Sequence, residues 1–351
     1  MSARVKIWGH LFVEVIRREI CTFCGACIAS CPVVAISIKN EYPALVGRCV
    51  ACGYCYNQCP KTPFDWSIVE QKLFGGEATD PLGHVKAVYA ARATDEDIMI
   101  VAQDGGATTA LLKYALDNKL VDCAVVTGVE EKDKWKPKPM VAFNKSDLLK
   151  AASSKYVSSP TLTALASAVE EYYAENIAVV GVGCQIRAIR KMQFSNYGYT
   201  KYGSKVKFAI GLFCSESFFY QGLINEYLLG KGIDLSKVTK FEIAKGKFIV
   251  KSNRDILLSV PVKEVKAYGR KGCKLCDDFS ARFADISVGG VDSPPGWTTV
   301  IIRTDVGEKL FNDAVNSGYL DVKKMSVKDL KITAKLAKIK MKSATEAAAQ
   351  S

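Results

Sequence analysis

The rhythm of hydrophobic and polar positions changes near residue 80. Before it, apolar residues come in short groups between cysteines, with one apolar stretch (Trp8, Leu11, Phe12, Val15, Ile16) able to pack on them. After it, short apolar runs alternate with segments of helical spacing. Val85 to Ala91, Cys123 to Val129, Ile177 to Val182, Val206 to Phe213, Ile286 to Gly290 and Thr298 to Arg303 read as strands. Ala107 to Leu120, Leu162 to Tyr173, Gln185 to Gln193, Phe218 to Leu229 and Val306 to Gly318 read as helices, the last stopped by Gly318. Phe241 to Val250 and Ile256 to Val262 alternate and predict a hairpin. Strand–helix alternation predicts an α/β domain, mixed but with a largely parallel sheet. Gly75 to Gly83 holds Gly75-Gly76, Asp80-Pro81 and Gly83, all turn signals, and reads as a linker. The expected units are residues 1–80, residues 81–322 and a Lys/Ala-rich tail at 323–351. Weak helical spacing at Ile332, Leu336 and Ile339 predicts that the tail is either a helix that docks on a partner or a loose end.

Two runs in the first unit repeat the same spacing. Cys21, Cys24, Cys27, Cys31 and Pro32 form one; Cys49, Cys52, Cys55, Cys59 and Pro60 form the other, each C-x2-C-x2-C-x3-C-P. This is the bacterial-type ferredoxin run, in which the fourth Cys serves the other cluster. Cys21, Cys24, Cys27 and Cys59 are therefore expected to hold one 4Fe–4S cluster, and Cys31, Cys49, Cys52 and Cys55 a second. Residues 1–80 then form a small α+β ferredoxin-type domain. Gly25 and Gly53 sit where each loop must turn tightly. Structural zinc, which takes four ligands from paired C-x2-4-C units, accounts poorly for two matched four-Cys runs.

Thirteen cysteines, an odd number, argue against a purely disulfide framework and for a reducing, cytoplasmic compartment. No apolar run is long enough for a membrane span, and Ile7 to Ile16, broken by His10 and Glu14, does not read as a signal peptide. The net charge is +12, partly local: Lys323 to Lys342 holds eight Lys against one Asp. Such a run is a solvated end, or a feature that attracts an acidic ligand or partner. No nucleic-acid motif accompanies it.

Five cysteines remain. Cys123 lies inside an apolar run and reads as core. Cys184 and Cys214 follow predicted strands, and Cys273 and Cys276 form C-x2-C before Asp277-Asp278. The ends of parallel strands share one sheet edge, so these four can converge; spacing alone makes them a candidate metal site or a set of inert thiols. Gln103-Asp104-Gly105-Gly106-Ala107-Thr108-Thr109 opens a helix and reads as a phosphate cradle or as a plain helix start. Gly289 to Thr298 is a Gly- and Pro-rich loop, shaped for a ligand or an ordinary long turn.

From Val85 to Tyr319 the chain resembles the beta subunit of coenzyme F420 hydrogenases and dehydrogenases. The segments that carry the resemblance are 102–106, 135–142, 155–156, 184–192, 273–278, 284–289 and 293–301, including Cys184-Gln185-Ile186-Arg187 and Ser293-Pro294-Pro295-Gly296-Trp297-Thr298. The resemblance implies FAD in the α/β domain and a third 4Fe–4S cluster on Cys184, Cys214, Cys273 and Cys276. It implies Gln103, Asp104, Gly105, Gly106, Thr108, Thr109, Ser154, Lys155, Tyr156, Ser293, Pro294, Gly296, Trp297 and Thr298 as cofactor or substrate contacts. Lys136, Lys138, Arg187, Arg190 and Lys191 are expected either as partners for the acidic tail of coenzyme F420 or as ordinary solvated surface cations. Val182-Gly183 stands where the family often has Pro before the Cys, which leaves that loop less rigid.

With the ferredoxin run in front, the chain looks like an F420H2-oxidising input subunit. Its implied acceptor is a membrane-linked complex-I-like assembly of archaea, or a ferredoxin. Hydride would pass from reduced F420 to FAD, and single electrons onward through three clusters. That route needs no acid–base residue, in keeping with only two His, His10 and His84. An F420-linked subunit of a formate dehydrogenase or hydrogenase has the same features with another partner. A non-enzymatic polyferredoxin-type carrier is the reading from a different class.

Overall fold

Thirteen strands and a set of mostly short helices make up the computed structural model, which describes residues 5–253 and 255–349. In the first module Trp8–Leu11 and the wider turn Phe12–Ile16 bury Trp8, Leu11 and Val15 against the cysteine loops. Strands β1 (Ile36–Lys39) and β2 (Tyr42–Leu45) form a hairpin whose two turn residues, Asn40 and Glu41, both have positive φ, as a twisted two-residue turn requires. Each cysteine repeat turns through a glycine in the left-handed region, Gly25 at φ 88° and Gly53 at φ 81°, into a four-residue helix. A Cβ on Gly25 would stand 2.5 Å from the carbonyl oxygen of Pro160, so the turn is also pressed against the second module.

The large sheet has eight strands: β3 (Ala87–Ala93), β4 (Cys123–Val129), β5 (Pro137–Ala142), β6 (Ile177–Val182), β7 (Val206–Leu212), β11 (Ile286–Gly289), β12 (Thr298–Ile302) and β13 (Leu320–Met325). Their order is β13-β3-β12-β11-β7-β6-β4-β5. The centre, β4, β6, β7 and β11, is parallel, and antiparallel strands close both sides. Period-two alternation feeds two cores. On β4, Cys123 and Val125 enter the one beneath helices Thr163–Glu170 and Gly183–Phe194; Ala124 and Val126 enter the one beneath Ala107–Asp117 and Asp305–Asn316. Cys123 is fully buried in that packing.

Two edge strands escape the apolar pattern. β5 begins Pro-Lys-Pro, and proline is tolerated where an edge N–H has no partner to meet. β13 reads Leu-Asp-Val-Lys-Lys-Met, and its lysines suit an exposed edge. The predicted hairpin is instead a three-stranded antiparallel sheet, β8 (Lys240–Ala244), β9 (Lys247–Lys251) and β10 (Ile256–Pro261). Lys245-Gly246, both at positive φ, split the stretch read as one strand.

The first module shares its core with the second. Cys24, Ala26, Ala29 and Val69 belong to the same buried cluster as Leu165, Val179, Ile186 and Phe283. Trp66 stacks on Phe283 at 5.1 Å, and Gly75, at φ 77°, ends helix Ser67–Phe74 before the predicted linker. Among the described residues the tail is not loose: its first three residues finish β13. Lys331–Ala349 is a 19-residue helix that folds back onto its own chain, burying Thr333, Ala337, Lys340 and Ala344; Ile332 and Ile339, from the expected stripe, face outward. No helix among the described residues is long and apolar enough to cross a membrane.

Candidate redox site

Two cavities in the first module take their walls from crossed cysteine sets. One is lined by Cys21, Cys24, Cys27 and Cys59 with Leu11, Val15, Ile16 and Pro43. The other is lined by Cys31, Cys49, Cys52 and Cys55 with Trp8, Val33, Leu45 and Val50. The fourth Cys of each run therefore sits with the other run. The repeats also share a backbone device. Phe23 (φ 58°) and Ala51 (φ 57°) hold equivalent left-handed positions, and each points its N–H at the first sulfur of its run, Cys21 at 3.3 Å and Cys49 at 3.4 Å. Such strain persists where surrounding structure enforces it, and N–H donors favour a thiolate. Burial pushes the Cys21 thiol up to about 11 and Cys55 to about 12, and Cys24 and Cys27 well upward. Thiolates in such surroundings need a positive partner, and four of them around an apolar cavity suit an iron–sulfur cluster. Arg270, fully buried, has a guanidinium nitrogen (Nη1) with no hydrogen-bond partner among the described residues, and its charge acts on Cys21.

The third set also converges. Cys184 opens helix Gly183–Phe194 directly after β6, Cys214 lies just beyond β7, and Cys273 and Cys276 bracket the end of helix Lys271–Lys274. Burial pushes the Cys184 thiol up to about 12, with Cys276 and Cys273 adding to the rise, and burial raises Cys214 and Cys273 against the lowering charge of Lys340. The Thr22 side chain acts on Cys184 in the opposite sense to burial, favouring its thiolate. The three sets stand in a row: Cys24 of the first-described set feels Cys184, and Cys27 feels Cys55. The middle set is wholly buried, Cys184, Cys214 and Cys273 at one end are half-buried, and the other end reaches the exposed Cys49 and Cys52.

The glycine-bearing loops meet at the other end of the row. The Gln103 side chain accepts from Ser153 Oγ (3.0 Å) and the Ser154 N–H (3.2 Å) and donates to the Phe241 carbonyl (3.0 Å). The Gly105 N–H donates to Thr298 Oγ1 at 3.0 Å, and a Cβ on Gly105 would lie 2.4 Å from the Ala91 carbonyl oxygen. Gly105 thus serves the approach of its loop to β3 and β12. Gly106, at φ 71°, starts the helix that carries the half-buried Thr108 and Thr109. Asp104 lies against Gly290, and burial raises its carboxyl. In the second loop Trp297 N–H bonds back to the Pro294 carbonyl, Gly296 takes φ 76°, and Ser293 Oγ donates to the Trp297 carbonyl at 3.0 Å. The Tyr156 hydroxyl accepts from Ile243 N–H, and the charge of Cys214 acts on that phenol.

Several expected ligand contacts are corrected by burial. Lys155 spends all three ammonium hydrogens on carbonyls of Ala151, Ala152 (2.8 Å) and Ser153 (3.0 Å), closing the end of helix Lys145–Ala151, so its head group is committed to the chain itself. Arg190 pairs with Asp285 at 2.9 Å and donates to the Phe283 carbonyl, also at 2.9 Å. Lys191 gives its ammonium to the Cys59 carbonyl and Thr62 Oγ1, both at 2.8 Å. Arg187 pairs with Asp277 at 2.7 Å and lies over Trp66. None of these three reaches out to a dissolved acidic tail. Lys136 and Lys138 remain exposed around β5, near Asp133 and Glu130. The sequence reading missed Arg270, Thr22 and Lys340, which lie far along the chain from the sulfurs they approach; no local spacing marks them.

The pattern described as coenzyme F420 hydrogenase/dehydrogenase beta subunit matches in its N-terminal part over residues 88–166 and in its C-terminal part over 174–328; a 4Fe-4S dicluster domain matches over 14–73. The coenzyme F420 hydrogenase subunit beta of Methanothermobacter thermautotrophicus is 41% identical over 242 residues, 69% of this chain and 85% of that protein. An F(420)H(2) dehydrogenase subunit of Methanosarcina mazei is 33% identical over 313 residues, 85% of this chain and 83% of that protein. A chain of the F420-reducing NiFe hydrogenase complex from Methanosarcina barkeri superposes with a TM-score of 0.71 at 37% identity, covering 77% of this chain and 93% of that one. The chain belongs to the family of coenzyme F420 hydrogenase/dehydrogenase beta subunits, here carrying a 4Fe-4S dicluster domain in front.

Proposed function

We propose that the protein oxidises reduced coenzyme F420 and delivers the electrons one at a time to a protein acceptor. The observation that carries this reading is the row of three four-cysteine sets, which starts beside the glycine-bearing loops and ends at an exposed edge. The proposed ligand sets are Cys184, Cys214, Cys273 and Cys276; Cys21, Cys24, Cys27 and Cys59; and Cys31, Cys49, Cys52 and Cys55, each for a 4Fe–4S cluster. A bound FAD supplies the exchange between paired and single electrons. The residues that suit it are the N–H groups opening helix Ala107–Asp117, the fixed Gln103, Ser154, Tyr156 and the Ser293 to Thr298 loop. Helix N–H groups favour phosphate oxygens, and the crossed hydrogen bonds of Gln103 and Thr298 hold the loops in one shape before any ligand arrives. Lys136 and Lys138, the expected cations left exposed, are the candidates for the acidic tail of F420.

Relatives named for a dehydrogenase and for hydrogenases share this chain's central part, so the acceptor is assigned from the front module. The dicluster domain, which extends the one-electron path beyond the part matched to the hydrogenase subunits, supports a respiratory, membrane-linked acceptor complex or a ferredoxin. The test mixes anaerobically reconstituted protein with reduced F420 and a viologen dye. Dye reduction with F420 oxidation is the expected result, alongside a flavin spectrum and about twelve iron atoms per chain for three four-iron clusters. A protein that carries iron but neither binds flavin nor reduces dye is a simple relay, and the reading fails. Cys276→Ala is expected to remove about four iron atoms while the first module stays loaded; unchanged iron would remove the third set from the assignment.

A further inference from the structure

We infer that Lys340, brought in by the C-terminal helix, sets the reduction potential of a cluster held by Cys184, Cys214, Cys273 and Cys276. The inference rests on the third-cluster assignment proposed above. It adds a residue outside the family match, which ends at residue 328.

The helix Lys331–Ala349 is fixed at its start by a side chain from the Gly-rich loop. Asp292 accepts from the N–H groups of Ile332 and Thr333, each at 2.8 Å, and from Thr333 Oγ1 at 2.6 Å. Thr333, Ala337, Lys340 and Ala344 form one buried stripe at helical spacing, and the helix packs on Lys271–Lys274, which carries Cys273. Lysine at such a stripe position is unusual. The other lysines between 323 and 342 are all exposed, whereas Lys340 is 9% exposed. Its ammonium donates to the Cys214 carbonyl. No carboxylate among the described residues pairs with it directly; Asp278 acts from further away, after the three thiols of Cys214, Cys276 and Cys273.

A buried cation without an ion pair is costly. Four thiolates around an oxidised 4Fe–4S core form a dianion, which supplies the missing counter-charge. Reduction adds one electron and makes that group more negative by one unit, with no bond formed or broken and no proton moved. A fixed positive charge beside it favours the reduced form and raises the potential. Lys340 is thus a positioning charge: it touches the chain that ligates the cluster and acts on the electron's energy.

The experiment is an anaerobic redox titration of the reconstituted full-length protein, followed by electron paramagnetic resonance, with iron counted in parallel. Wild type and Lys340→Arg are expected to show three cluster transitions. In Lys340→Met one transition moves to lower potential while the other two stay and iron is retained. Loss of about four iron atoms from Lys340→Met but not from Lys340→Arg also supports the charge. Three unmoved transitions with full iron overturn the inference, as does equal iron loss from both variants, which makes the helix a packing element only. A wild type with only two cluster transitions instead removes the third-cluster assignment, and the inference with it.

Discussion

Buried charge is the theme at the scale of single residues. Arg190 sits between the Asp285 carboxylate and the Phe283 carbonyl, so Arg190→Glu sets two carboxylates together inside the protein. The expected effect is a loss of about 3–5 kcal/mol of stability, read as a fall in the thermal midpoint; a change confined to the KM for F420 would return Arg190 to the ligand site. Lys155 permits a pH test. Desolvation pulls its ammonium from the ordinary 10.5 to about 7. Between those values the unfolded chain keeps a proton that the folded one sheds, so folded stability rises with pH across that window, by up to about 1.4 kcal/mol per pH unit. Denaturant unfolding at pH 7 and pH 9 should show this rise in wild type and not in Lys155→Met. Equal slopes would mean that the three carbonyl acceptors keep Lys155 charged throughout. The crossed grouping of the eight front cysteines around two cavities was legible in the sequence because their spacing is a local property of two loops. The roles of Arg187, Arg190 and Lys191 were not: a basic helix face reads as solvated, and only the docking of Phe64, Trp66 and Phe283 over it turns it inward.

At the scale of elements, strands with both faces buried were the most readable. Cys123–Val129 and Ile177–Val182 match their apolar runs residue for residue, since a strand covered on two faces is apolar throughout. The edges were harder: β5 and β13 need polar or proline residues to stay soluble and so hide among loops. The C-terminal helix was the hardest, because its buried stripe is Thr, Ala, Lys and Ala. Such a stripe can only be small when a neighbouring backbone comes close, which no single sequence reveals. Its anchor is testable. Asp292→Ala removes three acceptor contacts at the helix start. The cost is about 1 kcal/mol, and the expected readout is faster amide exchange across residues 331–349 with the central sheet unchanged. Uniform exchange in both proteins would show that packing alone holds the helix.

At the scale of the whole molecule, the two modules act as one body around the cysteine row. The shared core of Cys24, Ala26 and Val69 with Leu165 and Ile186, and the Arg270 side chain bonding both Ser158 and the Glu41 carbonyl, fix the distance between the inner sets. Electron transfer slows steeply with separation, so a rigid joint matters more here than a hinge. Among the described residues, the exposed cysteines belong to the outermost set. The skin beside Cys49 and Cys52 is apolar: Val33, Val34, Leu45, Val46 and Val50 are all exposed, with Val34 at 80%. Isolated exposed valines are ordinary, but five apolar side chains beside a ligand set form a face that a partner can desolvate. A double variant, Val34→Glu with Val46→Glu, places two charges on that face without touching a cysteine. Electron delivery to a protein acceptor is expected to fall about tenfold or more, since each buried unpaired charge costs more than the roughly 1.4 kcal/mol that a tenfold change represents. Reduction of a small viologen, which needs no extended face, should keep its wild-type rate. Equal rates to the protein acceptor would move the exit elsewhere, and equal losses with both acceptors would place the damage in the cluster itself.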